Sequence, residues 1–317
     1  MKTITWTPLF CIITIAGVIT ANGTPLKTSE IPSDPGWFVH LDCDALRPTS
    51  VGQFILAELE KPEAQNKLGA IQAMLNFDPR KQLHAVTIYG PSDSPENGVL
   101  MVNADFDAEK LVAVVKGAND YQSSKHGAHT IHNWIDDKKK AKDGIKPRVY
   151  GTIHGGHLII LSQHEAPVAT ALDVLDSKSP NLSSNKEFKP FERAAGTVVV
   201  QAAAHKLNFA SKDPNAAVLR LAKSLRLQIG EADHQIKGTL SVEANDEEVA
   251  KNMAAVVQGL AALVKLQQEK PQAMKLAEAV SVKQDGAAVL ATLAMPADDA
   301  VAMIKSGHAK KSHKENE

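Results

Sequence analysis

The composition of this 317-residue chain is that of a globular protein without a strong charge bias. Hydrophobic residues make up 44% of the chain but aromatic residues only 4%, so aliphatic side chains must fill the core. The formal net charge of −1 gives no electrostatic reason to expect nucleic acid or an anionic membrane as a partner. The scarcity of aromatic residues argues against a carbohydrate or single-stranded nucleic-acid platform, because both bind by stacking.

The first 23 residues have the order of a secretory signal peptide. Lys2 precedes an apolar run from Leu9 to Ala21, and the small residue Gly23 follows. This run is shorter than the roughly 20 residues that a membrane-spanning helix needs. We therefore expect residues 1–23 to be a signal peptide that is cleaved after Ala21 or, preferably, after Gly23. The mature protein is then exported, to the periplasm or the medium, with no membrane span left after cleavage.

Cysteine usage predicts a mature chain without an internal disulfide. Cys11 lies in the apolar run and leaves with the signal peptide, so Cys43 has no partner in the mature chain. Because Cys43 lies in an apolar segment that is predicted to be a strand, we expect a buried and inert thiol.

The first half of the chain is predicted to alternate strands and helices after a leader. Residues 24–36 are rich in Pro, Ser and Thr and are expected to precede the fold. Residues 37–176 then form the first unit. Hydrophobic periodicity predicts strands at 37–41, 83–89, 99–104, 129–134, 148–154 and 157–162, and helices at 51–59, 63–75, 105–117 and 167–175.

The second half is predicted to follow the same pattern. Residues 177–196 form a connection, residues 197–304 the second unit, and residues 305–317 a disordered polar tail. Asp213 and Pro214 have the sequence of a helix start. The remaining predicted elements are strands at 197–202, 225–229, 236–242, 280–282 and 289–293, and helices from 246 and at 296–304.

Landmarks recur in the same order in the two halves. Gly90 and Gly98 bracket the first hairpin loop, and Gly230 and Gly238 bracket its counterpart with the same spacing. Further matches are those of residues 39–46 with 200–207 and of residues 98–117 with 238–259. We therefore predict an α+β fold of two similar repeats that arose by duplication, each an antiparallel sheet with helices mainly on one face.

Two segments carry a resemblance to a known class of proteins. One is the strand pair that leads into Asp105-Phe106-Asp107 and its helix, and the other is Leu172-Asp173-Val174-Leu175-Asp176. On these segments the mature chain resembles uncharacterised exported bacterial proteins of the type found in planctomycetes and verrucomicrobia. The resemblance implies no activity and assigns no functional residues.

Asp42-Cys43-Asp44, at the end of the first strand, is the main candidate for catalysis. Haloacid-dehalogenase-type phosphatases place nucleophile and acid in such an Asp-x-Asp, and paired carboxylates could hold Mg²⁺. That chemistry also needs a lysine and further acids behind a later strand. Neither Asp136-Asp137 nor Asp298-Asp299 follows a strand in the required way. A role for the pair in a turn or a helix cap is the favoured interpretation.

Histidines are concentrated between residues 126 and 164, which hold six of the twelve in the chain. His154 and His157 flank a Gly-Gly turn, which would put both rings on one face where they could share a metal ion. Strand alternation would place His129 and His132 on opposite faces. Since no acidic or thiol ligand has supporting spacing, surface histidines are the default interpretation and metal binding stays open.

No motif identifies a reaction. Gly-rich phosphate loops, dinucleotide fingerprints, Cys-x-x-Cys pairs and Gly-x-Ser-x-Gly elbows do not occur in the sequence. We assign no catalytic, cofactor or metal residues and predict an exported, non-enzymatic binding or scaffold protein, with an envelope protein as a candidate partner. The alternatives are a metal-assisted hydrolase that uses Asp42 and Asp44, and a carrier of an apolar ligand held between helix and sheet.

Overall fold

The computed structural model describes residues 23–92, 97–139, 146–186, 188, 191, 196–205, 221–266 and 271–314. The strands of these residues are β1 (Trp37–Asp42), β2 (Leu83–Gly90), β3 (Val99–Ala104), β4 (Gln122–His126), β5 (His129–Ile135), β6 (Arg148–His154), β7 (Leu158–Ser162), β8 (Thr197–His205), β9 (Ala222–Ala232), β10 (Gln235–Ala244), β11 (Val280–Asp285) and β12 (Ala288–Pro296). The helices are α1 (Cys43–Leu46), α2 (Ser50–Leu59), α3 (Pro62–Leu75), α4 (Pro79–Gln82), α5 (Ala108–Lys116), α6 (Glu165–Leu175), α7 (Glu247–Lys265), α8 (Pro271–Ala279) and α9 (Ala297–Lys314).

Aspartate side chains cap several helices, at the predicted start for α7 and two residues after the predicted start for α5. Asp42 accepts from the Ala45 amide at the start of α1, and Asp246 accepts from the Val249 amide at the start of α7. Asp107 has the same role for α5. Each cap satisfies an amide that the first turn of a helix leaves without an intrahelical partner.

All described strands join one antiparallel sheet, in the order β11-β12-β10-β9-β8-β1-β2-β3-β7-β6-β5-β4. The first half contributes β1-β2-β3-β7-β6 and the second half β8-β9-β10-β12-β11, which is the same order of five strands. The prediction of an α+β fold with two similar antiparallel units is confirmed. The hairpin β4–β5 extends the edge of the first half only.

The two halves meet at the pairing of β1 with β8. The predicted alignment makes Val39 the counterpart of Val200 and Leu41 the counterpart of Ala202. The structure pairs Val39 with Ala202 and Leu41 with Val200. Replacing each residue of one pair by its counterpart in the other half gives the other pair. A local two-fold axis therefore passes between these strands.

Each half buries a different face of the sheet. Pairing places Phe38 beside Ala203, and Ala203 beside Arg226. Arg226 pairs in turn with Ser241, so Val242 points to the opposite face from Phe38. Phe38 lies in the first core and Val242 in the second core.

Helix α6 covers the first core, and α7 covers the second core on the other face. The first core contains Phe38, Val99, Met101, Ile131, Ile160, Val168 and Leu172. The second contains Val242, Ala244, Ala250, Met253, Ala254 and Val289. The α6 face of the second half is instead polar, with Gln228, Thr239, Ser241 and Thr292. Helix α9, the sequence counterpart of α6, accordingly packs against α2 and forms a Lys275–Asp299 ion pair with α8.

Several segments differ from their predicted structure. The predicted leader belongs to the fold, because Ile31 is 1% exposed within the first core and Pro32 bridges to Asn181. Helix α9 continues to Lys314, past its predicted end at residue 304. Cys43 opens α1 rather than lying in a strand, although its thiol is buried as expected. The helix predicted from Asp213 lies outside the described residues. None of the described helices has the length and hydropathy that a bilayer crossing needs.

Candidate metal centre

Three neighbouring strands bring histidines to one end of the sheet. The β4–β5 hairpin pairs His126 with His129. In the antiparallel pairing of β5 with β6, His132 lies opposite Gly151. Three residues towards the start of β5 and the end of β6, the same register brings His129 beside His154. The ring centroids of His129 and His154 are 5.4 Å apart. His126, His129 and His154 therefore form a row on the face that α6 covers.

Helix α6 supplies carboxylates to this row. Leu172 is fully buried and fixes the orientation of the helix on the sheet. Asp173 and Asp176, three residues apart, lie on the side of its last turn that faces the histidines. His126 Nε2 is 2.8 Å from Asp173 Oδ1, and His129 Nε2 is 3.0 Å from Asp176 Oδ1.

His129, His154 and Asp176 have the geometry of a metal site. Their ligand atoms lie within 4.8 Å of one another, and in the described part of the chain no other set of three His, Cys, Asp or Glu residues does so. His154 Nε2 is 3.5 Å from Asp176 Oδ1. Tetrahedral Zn²⁺, with bonds of about 2.0–2.2 Å, spaces its ligand atoms by roughly 3.3–3.6 Å. Small side-chain movements would thus bring all three ligands onto one ion.

Two carboxylates at the end of α6 attract a cation to the site, and one of them already pairs with a lysine. Asp173 and Asp176 lie at the C-terminal end of α6, where the helix dipole already places partial negative charge. Lys178 Nζ lies 2.8 Å from Asp176 Oδ2. The ammonium of Lys178, with His129, holds the pKa of Asp176 down at about 2. Asp176 is therefore an ionised ligand at neutral pH. The side chains of the three ligands are 18–26% exposed, so an ion can reach them from solvent.

The predicted pairing of His154 with His157 is wrong. The β6–β7 register pairs His154 with Leu158, which leaves His157 inside the loop. The turn therefore takes three residues and not two. Gly155 and Gly156 both have positive φ, 58° and 77°, which glycine adopts without strain. His157 Nδ1 bonds instead to the carbonyl oxygen of Gly155 at 2.9 Å.

The alternation predicted for His129 and His132 agrees with their contacts. His132 Nδ1 lies 2.8 Å from the Tyr121 hydroxyl, whereas His129 contacts Asp176. Sequence reasoning missed Asp176 as a ligand because 47 residues separate it from His129. The available signal was the spacing of Asp173 and Asp176 at the end of a predicted amphipathic helix.

Asp42 and Asp44 have separate structural contacts. Asp42 is 4% exposed, and its Oδ1 caps α1. Asp44 forms an ion pair with Arg47 and lies 3.0 Å from His84 Nδ1. Burial opposes ionisation of Asp44, but hydrogen bonds from Thr24, His84 and Arg47 outweigh it and lower the pKa of Asp44.

A cleft of about 530 Å³ lies beside the N-terminal end of α6. Its walls are mostly apolar and include Pro32, Pro35, Tyr89, Pro91, Val99, His164, Pro167 and Thr170. The Tyr89 hydroxyl is buried without a hydrogen-bond partner among the described residues. Burial also raises the pKa of Tyr89, so the phenol stays neutral.

Comparison with known proteins gives distant structural similarity only. No family model and no curated protein matches the chain. Three crystal forms of the protein TP0453 are similar over 89% of this chain and 97–99% of their own length. Form III has a TM-score of 0.47 at 10% identity, form I 0.44 at 8%, and form IV 0.44 at 10%. At these values the similarity carries no functional information.

Proposed function

We propose that this chain is an exported, non-enzymatic binding protein, formed by duplication of one α+β unit. It binds a late first-row divalent metal ion, Zn²⁺ foremost, through His129, His154 and Asp176. The observation that carries the proposal is the convergence of three ligand atoms within 4.8 Å from β5, β6 and the end of α6. Two imidazoles and a carboxylate are ligands that Zn²⁺, Cu²⁺ and Ni²⁺ accept, whereas Mg²⁺ and Ca²⁺ prefer oxygen ligands.

The position of the ligands supports a binding and scaffold role. They come from two strands and from the residue that follows α6, so one ion would tie the helix end to two adjacent hairpins. The hydrolase alternative needs Asp42 and Asp44. In the structure Asp42 caps α1 and Asp44 forms an ion pair with Arg47. Export is supported by Lys2 and the apolar run that precedes Gly23.

Isothermal titration of the purified protein with Zn²⁺ tests the proposal. We expect one site per chain and at least a tenfold loss of affinity in His154→Ala and in Asp176→Asn, because each change removes a ligand. The matched control is His157→Ala, which removes an imidazole from the same hairpin but not from the site. An equal loss in His157→Ala, or the absence of Zn²⁺ binding by the unaltered protein, would contradict the proposal.

The cleft beside α6 supports a second candidate function, the carriage of a small and mostly apolar ligand. Its volume of about 530 Å³ lies within the usual range of ligand pockets, roughly 300–1,000 Å³. A bound ligand would pack against Tyr89 and Thr170, which line the cleft. Native mass spectrometry of freshly purified protein should then show a retained small molecule that Thr170→Trp, which fills the cleft, weakens. Protein of unmodified mass, with no bound species, would oppose this candidate.

A further inference from the structure

The Asp42 carboxylate is buried without a compensating cation among the described residues. It is 4% exposed and accepts one hydrogen bond, from the Ala45 amide to Oδ1. Its neighbour Asp44 differs, because Arg47 and His84 neutralise it. A nearby positive charge would stabilise a carboxylate that is buried to this degree.

The nearby His40 does not neutralise Asp42. Its Nε2 lies 3.1 Å from the Thr24 carbonyl oxygen, which can only accept, so this nitrogen carries the proton. Its Nδ1 then accepts from the Thr87 hydroxyl at 2.9 Å. Burial lowers the pKa of His40, so the ring is neutral at physiological pH.

The backbone at Gly23 and Thr24 is held against both carboxylates. A Cβ atom on Gly23 would lie 2.8 Å from Asp42 Oδ2, so a larger residue would displace the carboxylate. Thr24 Oγ1 donates to Asp44 Oδ2 at 2.7 Å. The Thr24 nitrogen is only a few bonds from Gly23 and from Thr24 Oγ1, so it lies within about 7 Å of each carboxylate. The bond between Gly23 and Thr24 is also the preferred cleavage site of the predicted signal peptide.

We propose that removal of residues 1–23 creates the missing cation. A signal-peptidase-class protease hydrolyses the Gly23–Thr24 bond. Water supplies the hydroxyl of the Gly23 carboxyl group and a hydrogen of the Thr24 amine, which then takes up a proton. The new α-ammonium group occupies the space that Gly23 leaves and pairs with Asp42 and Asp44. Processing thereby completes an ion cluster at the start of α1. The inference rests on export, which is part of the proposed function, and not on the metal site.

The charges that face this group favour an ammonium ion. Asp42 and Asp44 are carboxylates beside it, and Arg47 and His84 bind Asp44 as its existing counter-charges. Lys27 and Glu30, which form an ion pair with each other, line the same cavity as Thr24 and His40. His40 is neutral. Two carboxylates close to one amine raise the pKa of that amine above the 7.7–8.0 that is usual for a chain terminus.

The test compares two forms of the full mature chain. One begins at Thr24 with a free amine, and the other retains Asn22 and Gly23 before it. We expect the α-amino pKa of the Thr24 form, measured by pH-dependent amine labelling, to be at least half a unit above its usual value. We also expect its melting temperature to exceed that of the extended form by a few degrees. Asp42→Asn should reduce both differences, because asparagine still caps α1 but carries no charge, while Asp44 keeps its charge beside the amine.

The control variant is Asp107→Asn, which removes the charge of another helix-capping aspartate, on α5. It should leave both differences in place. An α-amino pKa that is the same in Asp42→Asn as in the unaltered sequence would overturn the pairing, whatever the outcome for export. N-terminal sequencing of protein from the envelope or medium should begin at Thr24. An intact Met1 would contradict export itself, and a start at Asn22 would overturn the proposed cleavage position.

Discussion

At the scale of single residues, Lys178 competes with a metal ion for Asp176. Its Nζ lies 2.8 Å from Oδ2 of that carboxylate and adds a positive charge beside the site. We predict that Lys178→Gln tightens Zn²⁺ binding several-fold in a calorimetric titration, because a repelling cation is removed. Lys125→Gln is the control, since Lys125 is exposed and bonds to Thr130. Unchanged or weaker binding in Lys178→Gln would show that Lys178 does not compete with the metal ion for Asp176.

The free energy of unfolding should depend on the protonation of His84. It lies between Asp44 and Asp105, at 3.0 Å from each. Burial opposes protonation of His84, but hydrogen bonds to Asp105 and Asp44 outweigh it, so the pKa of His84 is raised. The stabilisation is complete below the unfolded pKa of about 6.5 and is lost as the pH rises through the higher folded value.

The measurement for His84 is a pair of urea unfolding series between pH 5.5 and 8.5. The unaltered protein should lose stability with rising pH relative to His84→Gln, which carries no titratable ring. Parallel pH profiles for the two proteins would mean that His84 has the same pKa in the folded and unfolded states.

We expect the thiol of Cys43 to be unreactive in the folded protein. Burial raises the pKa of its thiol to about 11, so almost no thiolate exists at neutral pH. We predict that reductant leaves the melting temperature unchanged, and that thiol reagents label Cys43 only after the chain unfolds. A reducible dimer or a shift of several degrees would reveal pairing between chains.

At the scale of elements, α6 supports the first core and also positions the site. Leu172 on this helix is 0% exposed, whereas Leu263 on α7 is 60% exposed. Leu172→Ala should lower the free energy of unfolding by about 2–5 kcal/mol and weaken Zn²⁺ binding, because Asp176 follows this helix. Leu263→Ala should change stability by less than about 0.5 kcal/mol. Similar losses in both variants would contradict the assigned burial.

Hydrophobic periodicity predicted most helices and strands, but it missed a strand whose residues are polar. Strand β4 (QSSKH) was missed because it lies at the sheet edge and has no apolar alternation. The loop between β6 and β7 was predicted one residue too short. A Gly-Gly pair signals a tight turn, but the register that sets its length comes from neighbouring strands.

The metal ligands show the limit of local sequence patterns. His126 and His129 are three residues apart in the sequence, whereas the approach of His154 depends on the register of β6. Asp176 joins them only after α6 has packed on the sheet. A cluster whose members come from three elements has no sequence spacing of its own, which is why no site residues were assigned from sequence.

At the scale of the whole molecule, the repeated strand order was predictable but the faces were not. Alternation shows that a strand has an apolar face, yet it does not say which side of a shared sheet that face occupies. The β1–β8 junction keeps equivalent residues on the same face, and the cores around Phe38 and Val242 lie on opposite faces because two helices that are not counterparts, α6 and α7, cover them. Helix α9 differs from α6 in placement because the face available to it is polar.

His129, His154 and Asp176 are proposed to bind one metal ion together. X-ray absorption at the zinc edge, on the purified protein loaded with one equivalent of Zn²⁺, reports the ligands themselves. We expect a four-coordinate ion with two imidazole nitrogens at about 2.0–2.1 Å and oxygen ligands at about 2.0–2.2 Å. A first shell of oxygen alone, without the outer-shell scattering of imidazole rings, would contradict it.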